Sequence, residues 1–212
     1  MVKQKEQSGV LKRVSTLRQG DSSETIYDDW SQQYDEDLTD EWGYIAPQLA
    51  VPALIEMCPD RASTIIDLGC GTGLVGVQLK NAGYTVFDGT DISQGMLDKA
   101  RDKGIYRDLI RADLTNPIPF PDNSYDAAMC IGSMGAGHID ASHVPEMLRI
   151  IKPGSPLIIH TNQAYYKEGG FEEKFHTLKK NNILKIHRSE LQNYMENLDR
   201  PGYLIVVTKP EN

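Results

Sequence analysis

The sequence predicts one doubly wound α/β domain: a mostly parallel seven-stranded sheet, helices on both faces and an antiparallel hairpin at the C-terminal end. Three observations predict it. Short β-branched runs alternate with helical stretches through most of the 212 residues, as successive βαβ units require. A glycine-rich segment, Asp67-Leu68-Gly69-Cys70-Gly71-Thr72-Gly73, joins the first such run to the helix after it. An acid, Asp91, closes the second run. Ligands of such sheets bind beyond the C-terminal strand ends, where the strand order reverses.

Residues 1–23 are polar and lack periodicity, so they read as a disordered tail. They carry Lys3, Lys5, Lys12, Arg13 and Arg18 against Glu6 and Asp21, a charge of +3, so the rest holds -11 of the formal -8. Residues 24–60 read as an N-terminal helical lid. In it, Thr25 to Leu38 is aromatic and acidic, with Ile26, Trp30, Gln33 and Tyr34 on one helical face. A second helix runs from Ile45 to Met57, with Pro47 in the first turn, where a missing N–H is tolerated.

The domain proper spans 61–212. Ser63 to Leu68 is its first strand. The helix Leu74 to Ala82 stops at Gly83, the usual position of a left-handed cap. Tyr84 to Thr90 is the second strand. Ser93 is placed to cap a helix with Met96, Leu97 and Ala100 on one face, ended by Gly104. Asp108 to Ala112 and Tyr125 to Ile131 are strands three and four, separated by a proline-rich loop. A helix from Ser142 to Ile151 precedes the fifth strand, Leu157 to Thr161, and another spans Phe171 to Asn181. Ile183 to Met195 and Tyr203 to Thr208 form the hairpin, with Asp199-Arg200-Pro201-Gly202 as its turn.

Composition narrows the function classes. Hydrophobic residues make up 40% of the chain, enough for a sizeable core, yet no apolar run approaches the roughly 20 residues of a membrane span. Without a signal-like N-terminus, the chain reads as cytoplasmic, with no membrane partner. Cys58, Cys70 and Cys130 form no CxxC pair, which argues against a disulfide framework and a zinc site; no metal is expected. An acidic body suits a phosphate backbone poorly, so DNA is not an expected partner.

The glycine segment gives the chemistry. Gly71-x-Gly73-x-x-Gly76 fits a dinucleotide loop, a pattern that is weak alone, and Asp91 lies 20 residues beyond Gly71. A strand-end acid accepts hydrogen bonds from ribose hydroxyls, so Asp91 points to an adenosine-containing cofactor without choosing which. Three features choose. Asp67 beside the glycines would repel a pyrophosphate but pair with an ammonium. No Tyr-x-x-x-Lys occurs, and the body is short for a separate substrate domain. Asp113 follows the third strand, placed for an adenine amino group. The alternative for Asp113 is an ordinary turn acid.

In order, the segments D-L-G-C-G-T-G, G-T-D-I-S-Q-G-M-L-D-K-A, R-A-D-L, Y-D-A-A-M-C-I-G and R-I-I-K-P-G-S resemble the motifs of class I S-adenosylmethionine-dependent methyltransferases, which share a Rossmann-like sheet. The segment Y-D-D-W-S-Q-Q-Y-D-E-D-L-x-x-x-x-G-Y is similar to the start of the methyltransferase-like proteins of the Williams–Beuren syndrome region. The resemblance implies S-adenosylmethionine as cofactor and S-adenosylhomocysteine as product. It implies that Asp67, Gly69, Gly71 and Gly73 line the methionine part, with Cys70 in the same loop. Asp91 would hold the ribose with Ile92 beside the adenine, Asp113 and Leu114 would meet the adenine edge, and Met96 would be a further cofactor contact. Cys130 and Ile131 would lie near the sulfonium, and Tyr27, Trp30 and Tyr34 would form part of a lid.

His138, after the flexible Gly132–Gly137 loop, is a candidate base, since an imidazole titrates near pH ~6.5; a plain loop histidine is the other reading. His160 ends the fifth strand on the ligand edge. His143, His176 and His187 receive no role. The fourth strand is followed by Ile131-Gly132-Ser133-Met134 rather than an Asn-Pro-Pro-Tyr motif, which removes one signature of methylation on a planar amide or base nitrogen. The expected acceptor is a small molecule. The alternatives are a protein acceptor, an NAD-dependent oxidoreductase and a cofactor-binding pseudoenzyme.

Overall fold

The computed structural model describes residues 24–135 and 139–211. The basic tail and His138 lie outside the described residues. Seven strands form one sheet: β1 Thr64–Leu68, β2 Val86–Asp91, β3 Leu109–Arg111, β4 Ala127–Met134, β5 Pro156–Asn162, β6 Lys185–Asn193 and β7 Pro201–Thr208. Their order is β3-β2-β1-β4-β5-β7-β6. The first five run parallel, and β7 inserts antiparallel between β5 and β6. The chain leaves β1 toward β2 and β3 on one side and returns to β4 on the other. The loops after β1 and β4 therefore part and leave a crevice.

The helices are α1 Glu24–Trp30, α2 Ala46–Met57, α3 Leu74–Asn81, α4 Gln94–Asp102, α5 Val144–Ile150, α6 Gln163–Glu168 and α7 Phe171–Lys180. Alternate residues of each strand point to opposite faces, and the helices cover both. Ile65, Phe87, Met129, Ile158 and Leu204 pack with Ala50 and Leu54 of α2, Leu79 of α3, and Trp30 and Trp42. Ile66, Ala128, Cys130 and Ile159 face the other way, against Met147, Leu148, Phe171 and Phe175. Ser93 caps α4 by accepting from the Met96 amide at 3.1 Å, and Met96, Leu97 and Ala100 are buried. Gly83 and Gly104 take φ of +89° and +60°. No described helix is long and apolar enough to cross a membrane.

Four expectations need correction. The N-terminal helix does not run through Leu38: it breaks after Trp30, and a single turn, Tyr34–Glu36, passes into a π-helical turn, Asp37–Glu41. The cause is the indole of Trp30, which donates to Asp37 Oδ2 at 2.6 Å and packs edge-on to Tyr34 at 4.6 Å. Gln33, expected on the packed face, is exposed. Next, β4 extends three residues past Ile131, with a bulge between Ile131 and Met134. The extension is held by Ser133 Oγ donating to Gly69 O at 2.8 Å and Thr161 Oγ1 donating to Met134 O at 3.1 Å. Helix α6 begins directly after β5, capped by Asn162 Oδ1 on the Tyr165 amide at 2.9 Å. Finally, Pro201-Gly202 is not the hairpin turn but the start of β7. A Cβ on Gly202 would fall 2.6 Å from His160 Nε2, so this glycine answers close packing.

Candidate active site

The crevice begins at the glycine loop. Gly69, Gly71 and Gly73 all take positive φ, at 72°, 54° and 93°, a region open to glycine at no steric cost. The loop is fixed by hydrogen bonds from the Cys70 amide to Thr90 O at 2.8 Å and from the Gly71 amide to Asp91 Oδ2 at 2.9 Å. A Cβ on Gly71 would meet nothing within 4 Å; its bare side faces the open crevice.

Beneath the loop lies Tyr106, which sequence reasoning passed over. Its ring occupies the room left by Gly73, Gly76 and Gly89, whose Cβ atoms would come within 3.0, 2.5 and 3.0 Å of it. Its hydroxyl accepts from the Gly76 amide at 3.1 Å, one of the donors that a helix's first turn leaves without an internal partner. The same hydroxyl donates to Asp67 Oδ2 at 2.7 Å. Burial pushes the Asp67 carboxyl up to about 7, against the Tyr106 bond, which favours the ionised form. Its Oδ1 is buried with no hydrogen-bond partner. Asp91 takes the amides of Gly71 and Ser93 on its two oxygens, both at 2.9 Å. Burial pushes its carboxyl up, and these amides oppose the rise.

Three acids fasten the N-terminal segment over the crevice. Asp28 Oδ1 accepts from the Ser93 hydroxyl and from the Gly95 amide at 3.0 Å. Glu24 pairs with Arg111. Asp35 takes the Thr72 hydroxyl and Lys103 Nζ, the latter at 2.7 Å. The cavity beneath this segment holds about 1020 Å³, the scale of a cofactor with its partner.

Of the residues expected at the site, Tyr27, Tyr34, Gly69, Cys70, Gly71, Asp91, Ile92, Met96, Asp113, Leu114 and Ile131 line this one cavity. Four do not. Trp30 turns into the core against Trp42 and lies by a second cavity instead. Asp67 sits below the loop, fully buried. Gly73 packs on Tyr106 and Ala100. Cys130 points into the opposite core, where burial pushes its thiol up. Asp113 faces the cavity and is also a turn acid, taking the Thr115 amide at 2.9 Å and Asn116 Nδ2 at 2.8 Å.

The wall also contains Tyr44, which closes the N-terminal motif, and Ser133, His143, Tyr165 and Lys174, which belong to none of the quoted motifs. His143, which received no role from the sequence, forms a capping box with Asp140 at this wall. A second cavity of about 390 Å³ adjoins the first beyond β4 and β5 and shares Tyr27, Tyr34, Tyr44, Gly132, Tyr165 and Glu168 with it. Among the described residues, no group of three or more His, Cys, Asp or Glu could hold a metal ion.

A glycine cradle after β1, an acid closing β2 and a second acid after β3 line one cavity and fit an adenosine-containing ligand. The strand order is that of the Rossmann-like methyltransferase fold. Comparison with known proteins agrees. Residues 65–154 match the family model of the methyltransferase domain. Human methyltransferase-like protein 27 is 35% identical over 150 residues, 68% of this chain and 60% of that protein. The 18S rRNA (guanine(1575)-N(7))-methyltransferase of Saccharomyces cerevisiae is 31% identical over 128 residues, 60% of this chain and 45% of the enzyme. The chain thus spans three fifths or less of the length of these relatives. Among solved structures, the [4+2]-cyclase SpnF superposes with a TM-score of 0.68 at 16% identity, covering 93% of this chain and all of that one, a likeness of fold alone. These likenesses support a class I S-adenosylmethionine-dependent methyltransferase, with S-adenosylmethionine as the cofactor they indicate.

Proposed function

We propose that the chain transfers a methyl group from S-adenosylmethionine to a small-molecule acceptor. The observation that carries this is the second cavity, an aromatic-walled recess beyond β4 and β5 that shares lining residues with the first. A recess of about 390 Å³ admits a compact molecule. The acidic body argues in the same direction, away from nucleic acid, although the yeast relative is named for rRNA. A protein acceptor is the second reading, since Gly132 and Glu168 stand where the recess meets the main cavity and a side chain could enter there.

Bound S-adenosylmethionine supplies a methyl already activated by its sulfonium charge. The chain's own residues then bind, orient and exclude water, and orientation alone can be worth roughly 7–11 kcal/mol. Asp91 takes the ribose hydroxyls, Asp113 the adenine edge beside Ile92, Met96 and Leu114, and the glycine loop the methionine end. Residues 24–41 act as the cover, with Tyr27 and Tyr34 against the cofactor and Trp30 anchoring the segment. His138 is the candidate base where the acceptor must lose a proton. Three buried free thiols suit the reducing cytoplasm.

Calorimetric titration with S-adenosylmethionine, S-adenosylhomocysteine and NAD, on the wild type and Asp91→Ala, tests the cofactor site. Micromolar binding of the first two, weakened at least tenfold in the variant, is expected; binding of NAD alone would sink the reading. Incubation with methyl-labelled cofactor and fractionated cell extract then tests the acceptor. Label is expected in the small-molecule fraction. Label confined to protein or to nuclease-sensitive material would transfer the assignment there.

A further inference from the structure

His160 is the unusual residue of the second cavity. It lies two residues before the end of β5, on the face of Ile158, is 1% exposed, and neither ring nitrogen has a hydrogen-bond partner. Its ring stands edge-on to Tyr194 at 4.5 Å. Gly202 lets β7 pass close by, since a Cβ there would sit 2.6 Å from Nε2. An unpaired buried polar group costs roughly 1–3 kcal/mol, a cost a ligand can relieve. Burial drives the His160 pKa down to about 3, so the ring is neutral and offers one donor and one acceptor.

The surroundings limit what can pair with it. Trp30, Trp42, Tyr34 and Tyr44 are the neighbouring walls, flat surfaces suited to stacking a ring. The charged residues of this cavity, Glu168, Asp199 and Arg200, are exposed or half-exposed. No described charged side chain lines its buried end. A cationic ligand would find no counter-charge there and would face the cofactor's own positive sulfonium. A hydrocarbon would leave the imidazole unpaired. We propose that this cavity takes the acceptor as an uncharged planar aromatic ring carrying a hydroxyl group, which His160 holds by hydrogen bonding. The proposal rests on the reading of this recess as the acceptor site and makes His160 a positioning and specificity residue.

Binding of three probes to the protein saturated with S-adenosylhomocysteine tests it: 2-naphthol, naphthalene and 2-naphthylmethylamine. A net hydrogen bond predicts about a tenfold preference for 2-naphthol over both others, lost in His160→Phe, which keeps the ring against Tyr194. In the wild type, the imidazole nitrogen NMR signals of His160 should move with 2-naphthol, a readout that needs no variant. Equal or tighter binding of naphthalene or the amine, or His160 nitrogen signals unmoved by 2-naphthol, would overturn the proposal. S-adenosylhomocysteine binding in the same samples separates the two claims. If it fails, the methyltransferase reading falls and the proposal with it. If it holds while the hydroxyl preference is absent, only the role of His160 falls.

Discussion

Replacing Tyr106 by phenylalanine removes one oxygen and two hydrogen bonds: the donation to Asp67 at 2.7 Å and the acceptance from the Gly76 amide at 3.1 Å. The ring stays, so the packing against Gly73, Gly76 and Gly89 is kept. A bond to a charged group is worth about 1.5–3 kcal/mol and an ordinary one about 1 kcal/mol. With Asp67 ionised, the variant should therefore lose about 2–4 kcal/mol. The loss should depend on pH in a defined direction. The Asp67 carboxyl rises from its ordinary 3.8 to about 7 in the folded chain. Between those values the native state holds a proton that the unfolded chain has released. Stability from this group is full below the unfolded value and is lost as pH rises to the folded one, at up to about 1.4 kcal/mol per pH unit. The Tyr106 bond favours the ionised carboxylate, so its loss raises Asp67 further, and the decline continues past pH 7 in the variant. Urea unfolding followed by circular dichroism at pH 5.5 and 8.5 measures the gap between the two proteins. The gap should be wider at the higher pH by about 1–2 kcal/mol. An equal gap, or a wider one at pH 5.5, would refute the reasoning and leave Tyr106 as a helix cap only.

Other changes test other parts of the molecule. Gly76→Ala places a Cβ 2.5 Å from a Tyr106 ring that Asp67 holds in place. Overpacking of about 1–3 kcal/mol should outweigh the gain of up to ~1 kcal/mol in helix propensity, so the thermal midpoint should fall; a rise would show that the ring gives way. His160→Phe should resist acid better than the wild type. The His160 pKa falls from 6.5 to about 3 on folding, so its contribution is present above pH 6.5 and is lost as pH drops toward 3, by up to about 5 kcal/mol; an unchanged acid midpoint would contradict this. Asp28→Ala removes the acceptor of the Ser93 hydroxyl and the Gly95 amide and should raise the rate of proteolytic cleavage within residues 24–41 severalfold. The urea midpoint should move little, because Ser93 still caps α4. Unaltered cleavage would mean that Glu24 and Asp35 suffice to hold the segment.

The sequence by itself determined the elements and their kind. Apolar periodicity, Ser93 as a cap, Gly83 and Gly104 as stops and glycines after β1 are local signals, read within a few residues of where they act. The lining of the first cavity was legible for the same reason: Gly69, Gly71, Asp91 and Asp113 lie at or within three residues of a strand end, so placing the strand places the residue. What only the tertiary structure decided depends on residues far apart in the chain. Tyr106 fits under Gly73, Gly76 and Gly89 because three separate elements converge there, and a tyrosine after a helix carries no mark of that. Asp67 reads as a cavity residue from its neighbours, yet packing puts it below the loop. Trp30 reads as lid and folds as core, because Asp37 and Trp42 give its indole a better place. The second cavity is the extreme case, with walls drawn from Tyr34, Tyr44, His160 and Tyr194. The glycine loop of the first cavity is the backbone of one turn, which sequence encodes locally. The second cavity is made of side chains that meet only when the sheet closes.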